Sequence, residues 1–566
     1  MLHLLRKIYY RILKAKYIIL LLVILFGAFY FFYFRHIDRV EFYRKYHAEV
    51  QFVNKLVNIF YLPQTLFPSK LERYDIVVKQ KDLDFLNKNL PPLYAGNVLT
   101  DQYKVPVVAK FINKGKEYEV KVRYRGLMDN HWRDPQKSWL VTFRKKTGNF
   151  EDKRQIHLII ASDRNYLLEE LNYYRARKMG LAVPETKFID LFVNGEGQGV
   201  YWLQEDWSND FLARHNIKGN LYSSIDINQN GEPIKNIFDR ASYWEDASGT
   251  GNYANLESLL KVINNPSDDY FNKDIADILD LESFYQWQIV VYLTDSIHQA
   301  GGHNMRMYFD LNKGKFAFSP WDIAIGEAPP AFDEYNYNLL ITRILKNPVF
   351  LEERNKRLWD YVGDDKNLAD DLRYYDVLDK LTKNDFYKDF KRVDSDFAYR
   401  REVSSLRKQI EEKFLSLKNN LKNAKAEAEV KAGQNSAALK IGTDGFSSVK
   451  VSEIDIQSDN CAGGFTLYQD ADSNGLYDNS DQKVGSFSCR NGLYAIKPDF
   501  LIYAVKDASD GQFLKPGYNR VNLLIVPANP ADMKLFIKDK FNLKLQNSIT
   551  GENLANFPLA FVLGNK

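Results

Sequence analysis

Cysteine is almost missing from this chain. Of 566 residues only Cys461 and Cys489 are cysteines, and both fall in one strand-rich segment. A pair so placed suits a disulfide in an oxidising compartment, with two buried thiols as the alternative. An excess of charge is missing too. Lys and Arg number 77 against 73 Asp and Glu, a net +4, which gives no global attraction for nucleic acid. No zinc finger, other nucleic-acid motif or internal repeat appears. Core material is plentiful: 45% of the chain is apolar and 14% aromatic, so most of it should fold, and its length allows two to four domains.

Long apolar runs are scarce, with one exception. Tyr17 to Phe34 (YIILLLVILFGAFYFFYF) carries no charge, and as a helix it would span roughly 27 Å, close to a hydrocarbon core. It ends in FFYFRHID rather than in the small residues of a cleavage site, so an uncleaved transmembrane anchor is expected. Arg6, Lys7, Arg11, Lys14 and Lys16 precede it, while Arg35, Arg39, Arg44 and Lys45 follow. The balance leans toward a cytoplasmic N-terminal tail, residues 1–16, and a large extracytoplasmic domain.

Residues 35–70 read as an amphipathic, helical, membrane-proximal stalk. From Tyr74 to Phe150 apolar residues alternate, as in YEVKVRYRG, which predicts strands. YLLEELNYYRARKM (166–179) has helical periodicity and stops at Gly180. Asn194-Gly195 joins KFIDLFVNG to GQGVYWLQE as a hairpin. Leu281–Ile297 and Asn338 to about Lys431 read as mostly helical. The segment AKAEAEVKAGQNSAALKIGTDG (424–445) marks a boundary, and the short β-type runs beyond it predict a small all-β sandwich over 440–566.

NMRMYFDLNKGKFAFSPWDIAIGE (304–327) reads as two strands, Met305–Asp310 and Lys315–Ser319, around a turn at Asn312-Lys313-Gly314. The hairpin brings Asn304 and Asp322 to the same end. Two oxygen ligands on rigid strands are a seat for a hard cation.

These residues resemble the CotH spore-coat kinases, an atypical branch of the protein-kinase-like fold. The resemblance covers about 72–425 and rests on RYRG (123–126), KSWLVTF (137–143), MGLAVPETKFIDLFVNGEGQGVYWLQE (179–205) and HNMRMYFD…GKFAFSPWD (303–322), in order. It implies an α+β architecture: a two-lobed kinase-like domain over 71–432, preceded by the helix 17–34 and followed by the β domain. It also implies phosphoryl transfer from ATP with Mg²⁺ or Mn²⁺ to a protein or glycan acceptor at the cell envelope. In that reading Asp322 binds the nucleotide-bound metal and Asn304 resembles its second ligand. Lys137 touches phosphates, Arg125-Gly126 closes over the nucleotide, and Glu205 orients Lys137 or holds the nucleotide. Glu169 and Glu170 are the less favoured partners.

Two departures bear on catalysis. Relatives commonly read WDxD where this chain has Ala324, and Gln299 falls where better-studied kinases carry a catalytic aspartate. Asp295 or His298 could take that role, or the base is absent. The alternative is therefore a catalytically degenerate kinase fold serving as an envelope binding or structural protein. A second metal seat lies in DADSNGLYDNSD (470–481). Asp470, Asp472, Asn474, Asp478 and Asp481 space their oxygens as in an EF-hand-type Ca²⁺ loop, with Gly475 at the bend and strands as flanks.

Overall fold

Strands dominate the first part of the folded chain because its apolar residues alternate. In β1 (Glu72–Val78), β2 (Val107–Asn113) and β3 (Lys116–Tyr124) the buried side chains fall mainly at every second position. With β4 (Trp139–Phe143), β5 (Gln155–Ile160), β6 (Thr186–Val193) and β7 (Glu196–Glu205) they close a barrel in the order β1-β2-β3-β4-β5-β7-β6. Neighbours pair antiparallel except at the seam, where β1 runs parallel to β6 with Glu72 opposite Ile189. Aromatic rings fill the interior edge to face, among them Tyr74 and Phe111 at 5.3 Å and Tyr118 and Phe143 at 5.5 Å. Asn194 and Gly195 both take left-handed φ, 52° and 80°, which gives the β6–β7 turn the twist of its strands.

The computed structural model describes residues 58–563, apart from 93–97, 145, 226–233, 301–303, 324–325, 327, 330–331, 509–510 and 556; before residue 58 it describes only Tyr46, Glu49, Phe52, Lys55 and Leu56. The expected tail 1–16, the apolar run 17–34 and most of the expected stalk lie outside the described residues. Among the described residues no helix is long and apolar enough to cross a membrane. The end of the stalk differs from expectation. Asn58–Leu66, interrupted by Pro63, is a 3₁₀ helix laid against the helical lobe.

Between β5 and β6 stands α1 (Leu168–Lys178), buried on almost every side. A second sheet, ordered β11-β10-β8-β9, contains β8 (Gly219–Ser224), β9 (Trp244–Asp246), β10 (Arg306–Asp310) and β11 (Lys315–Ser319). The β10–β11 hairpin sets Arg306 opposite Ser319. Helix α2 (Leu281–Tyr292) packs on it, with Trp287 stacked on Phe318 at 4.7 Å. Helices α3 (Pro348–Val362), α4 (Asp365–Lys388) and α5 (Asp396–Lys422) complete the lobe, each started by a side-chain cap from Asn347, Asp364 or Ser395. A single core runs from α1 through these helices, separate from the barrel core.

Helix α5 stops at Lys422, short of the expected end near Lys431. The stretch Ala426–Ala432 is instead β13, paired antiparallel with β14 (Ala437–Thr443) and parallel with Leu559–Leu563. Its Ala, Glu and Lys content favours helix, but Ala428 and Val430 are buried in the core of the last domain and their period of two wins. The β domain therefore starts near Ala426 rather than at 440. It is a two-sheet structure, six strands facing a sheet built on Val449–Gln457, and Cys461 is disulfide-bonded to Cys489.

The two domains share structure. The short strand β12 (Glu334–Tyr335), downstream of Asp322, pairs with Phe513–Gly517 of the β domain. Glu334 is buried between Arg354 of α3 at 2.6 Å and Lys506 of the β domain at 3.5 Å.

Candidate functional site

Where β10–β11 ends, the chain turns sharply. Asp322 adopts a left-handed φ of 55°, a conformation uncommon for a residue with a side chain and concentrated at functional sites. Asn304 lies two residues ahead of β10, half-buried, at the same end of the hairpin as Asp322. The Asp322 carboxylate is ion-paired with Arg164, and His298 Nδ1 lies 3.3 Å from it.

Arg164 comes from the turn between β5 and α1. That turn also takes two successive left-handed residues, Asn165 and Tyr166. Asp163 lies 3.7 Å from Arg164 and 3.5 Å from His131. Burial opposes ionisation of Asp163, but His131, Arg164 and Arg125 outweigh it and hold the carboxyl below its ordinary value. Arg125, just past β3, is half-buried beside Arg164. Burial, then that like charge, brings it down to about 9. Gly126 takes φ 93°, and a Cβ there would run into the His131 ring. His131 Nδ1 in turn meets Ser138 Oγ at 3.1 Å.

Glu169 closes the cluster from the first turn of α1. Its Oε1 accepts the Ile323 amide at 3.1 Å, and burial pushes its carboxyl up to about 7. Several buried polar atoms here lack a hydrogen-bond partner: Arg125 Nη1, Arg164 Nε and Glu169 Oε2, while Asp163 Oδ2 has only its ion-pair neighbours His131 and Arg164. Orphaned donors and acceptors of both signs around one aspartate fit a phosphate-bearing ligand with its cation.

The remaining candidates are distributed around this cluster. Lys137 immediately precedes Ser138, yet its amine donates to the Asp134 carbonyl at 2.8 Å and lines a cavity of about 390 Å³ with Tyr124, Trp139 and Lys391. Burial lowers it to about 8. Glu205 is fully buried and ion-paired with Arg214, so Lys137 and Glu205 are not brought together. Glu170 is occupied by Trp202 at 2.9 Å, Arg177 at 2.8 Å and Tyr374 at 3.1 Å. Asp295 accepts Lys413 of α5 on both oxygens at 2.6 Å, in a different cavity of about 260 Å³. Gln299 is buried, and its amide donates to the Trp321 carbonyl at 2.7 Å. Gly301, Gly302, His303 and Ala324 lie outside the described residues.

Arg164, Asp163 and His131 escaped the sequence reading. Only the turn chemistry of Ser-Asp-Arg-Asn ahead of the α1 periodicity marked that region, and it carries no catalytic signal.

In the β domain, Asp470, Asp472 and Asp481 bring ligand oxygens within 4.8 Å of one another, the one such acidic group among the described residues. The Asn474 amide donates to Asp470 and Asp472, and Asp478 lies 3.4 Å from the Asn474 side chain.

The family model of the CotH kinase protein matches residues 122–413, just over half of the chain and the stretch that holds the whole cluster around Asp322. Inner spore coat protein H of Bacillus subtilis (strain 168) is 24% identical over 263 residues, covering 45% of this chain and 68% of that protein.

Proposed function

Because this chain belongs to the CotH kinase protein family, we propose that it transfers phosphate from ATP to a protein or glycan acceptor at the cell envelope. The observation that carries this reading is the cluster of charges around Asp322, several of whose buried polar atoms lack a hydrogen-bond partner. Asp322, with Asn304 at the same hairpin end, would hold Mg²⁺ or Mn²⁺, which would supply neutralisation of the nucleotide's phosphate charge. With Asp322 engaged as a metal ligand, its present partner Arg164 would be free to face phosphate alongside Arg125. Glu169 fixes the backbone at Ile323, next to Asp322, and so orients the carboxylate. His298 sets its imidazole beside Asp322, with Nδ1 3.3 Å from the carboxylate. Burial and Arg164 hold its imidazole below the ordinary value, so it is neutral at pH 7 and able to accept a proton.

A second reading, a nucleotide-binding envelope protein without turnover, is favoured by Gln299 and Asp295. The first is an amide locked to the Trp321 carbonyl, and the second is clasped by Lys413. In either case we propose a single-pass anchor at 17–34, an extracytoplasmic main body and Ca²⁺ in the 470–481 loop.

Thermal stabilisation by ATP with and without Mg²⁺ or Mn²⁺, together with transfer of labelled phosphate, tests the proposal. Metal-dependent stabilisation and transfer are both expected, and Asp322→Asn should abolish them. Stabilisation without transfer to itself or to any envelope acceptor would select the second reading. No metal-dependent stabilisation in the wild type would remove both.

A further inference from the structure

Most of the helical lobe hides its apolar side chains, but one corner does not. The 3₁₀ strap Asn58–Leu66 lies across the junction of α4 and α5. It is fixed by the Asn58 side chain accepting the Asp396 amide at 2.7 Å, and by Tyr61 stacked on Tyr387 at 5.3 Å. The Lys70 amide donates to Asp385 at 3.2 Å just beyond it. Held this way, the strap turns Phe60 and Leu66 outward, 82% and 86% exposed, with Ile59 and Phe67 beside them. Phe390 from the α4–α5 loop and Phe397 from the first turn of α5 stand exposed at the same junction. Arg401, one turn beyond Phe397, and the exposed Lys70 add positive charge at its edge, against Glu402.

We infer that this corner is a membrane-facing surface whose aromatic and leucine side chains enter the headgroup region of the bilayer. Three observations select lipid over other occupants. The uncharged run Tyr17–Phe34, read as the anchor on which this inference rests, ends only 24 residues before Asn58. That length of chain reaches at most ~80 Å, so the corner is kept close to the bilayer and even weak contacts are populated. Exposed Phe and Leu edged by Lys and Arg match interfacial insertion. The strap is also pinned through its polar and tyrosine side chains, which leaves its apolar ones presented to the outside. A second copy of the chain is the rival occupant.

The test uses the full chain reconstituted into phosphatidylethanolamine–phosphatidylglycerol vesicles. Since Cys461 and Cys489 are joined to each other, a single introduced thiol can be labelled with a fluorescent probe. Leu66→Cys and Phe60→Cys report on the corner, and Val108→Cys, 52% exposed on the barrel, is the control. Lipids carrying a quencher near the headgroup should quench the first two at least threefold more than the third. Equal quenching at all three positions, in protein that resists a carbonate wash, would overturn the inference and leave the anchor standing. Release by carbonate would remove the anchor instead. The corner would then keep its assignment only if the quenching contrast were present before the wash. Cross-linking of Leu66→Cys between copies without lipid quenching would assign the face to a second copy and overturn it.

Discussion

Glu169 titrates in the wrong place for a surface carboxylate. Its folded value is about 7 against 4.5 in the open chain, because burial disfavours its ionised form. Between those values the unfolded state loses its proton first, so stability falls as pH rises from about 4.5 to 7. The loss is full above that and amounts to about 3 kcal/mol. Glu169→Gln can still accept the Ile323 amide and carries no such penalty. In metal-free, nucleotide-free protein its melting temperature should therefore gain on the wild type as pH is raised from 5 to 8. Parallel melting curves would show that the wild-type carboxyl is not held protonated. At this scale the sequence was informative about where Asp322 sits, since it marked the hairpin that ends there. It was silent about Arg164 and Asp163. Their roles follow from where α1 is inserted between the barrel and the second sheet, a long-range packing outcome that no local pattern encodes.

Among the elements, β7 is latched to the helical lobe through Asp389. Gly199 takes φ 92°, and a Cβ there would meet the carboxylate of Asp389. That carboxylate accepts the Val200 amide at 3.2 Å and the Gln136 amide at 2.8 Å. Gly199→Ala should cost roughly 2–4 kcal/mol through strain and displacement of Asp389, and should speed exchange of the Val200 amide. Gly115→Ala has similar left-handed strain at φ 77° but nothing within 4 Å, so it should cost only about 1 kcal/mol. Comparable melting temperatures for the two variants would show that Asp389 is not a fixed latch. Elements with local signals were legible: the Asn194-Gly195 hairpin, α1 with Gly180 after it, and the β10–β11 turn. Barrel closure was not, because the β1–β6 seam joins residues more than a hundred positions apart. The strand β13 was misread because AEAEVKA satisfies helix propensity and strand alternation equally, and only its neighbours in the sheet decide between them.

For the molecule as a whole, the 470–481 loop ties one hairpin of the β domain together, and that domain holds β12 and Glu334 of the kinase-like domain. Three carboxylates within 4.8 Å repel unless a cation intervenes. Chelation should lower the melting temperature of the full chain by a few degrees, and Asp472→Ala should remove that response. Insensitivity of the wild type to chelator and to added Ca²⁺ would leave the loop as bare acidic surface. A composition shift after the helical lobe marked the start of the β domain, but its continuity with that lobe was not readable, since the buried triad of Glu334, Arg354 and Lys506 is assembled from distant segments. The strap Asn58–Leu66 has a mechanical consequence as well. Tension on the chain upstream of residue 58 enters the fold at the α4–α5 junction, through the Asn58–Asp396 bond, the Tyr61–Tyr387 stack and the Lys70–Asp385 bond. Only after those yield in shear does force reach β1, so the parallel seam of the barrel, and the site built at its rim, are shielded from any pull on the chain upstream of residue 58.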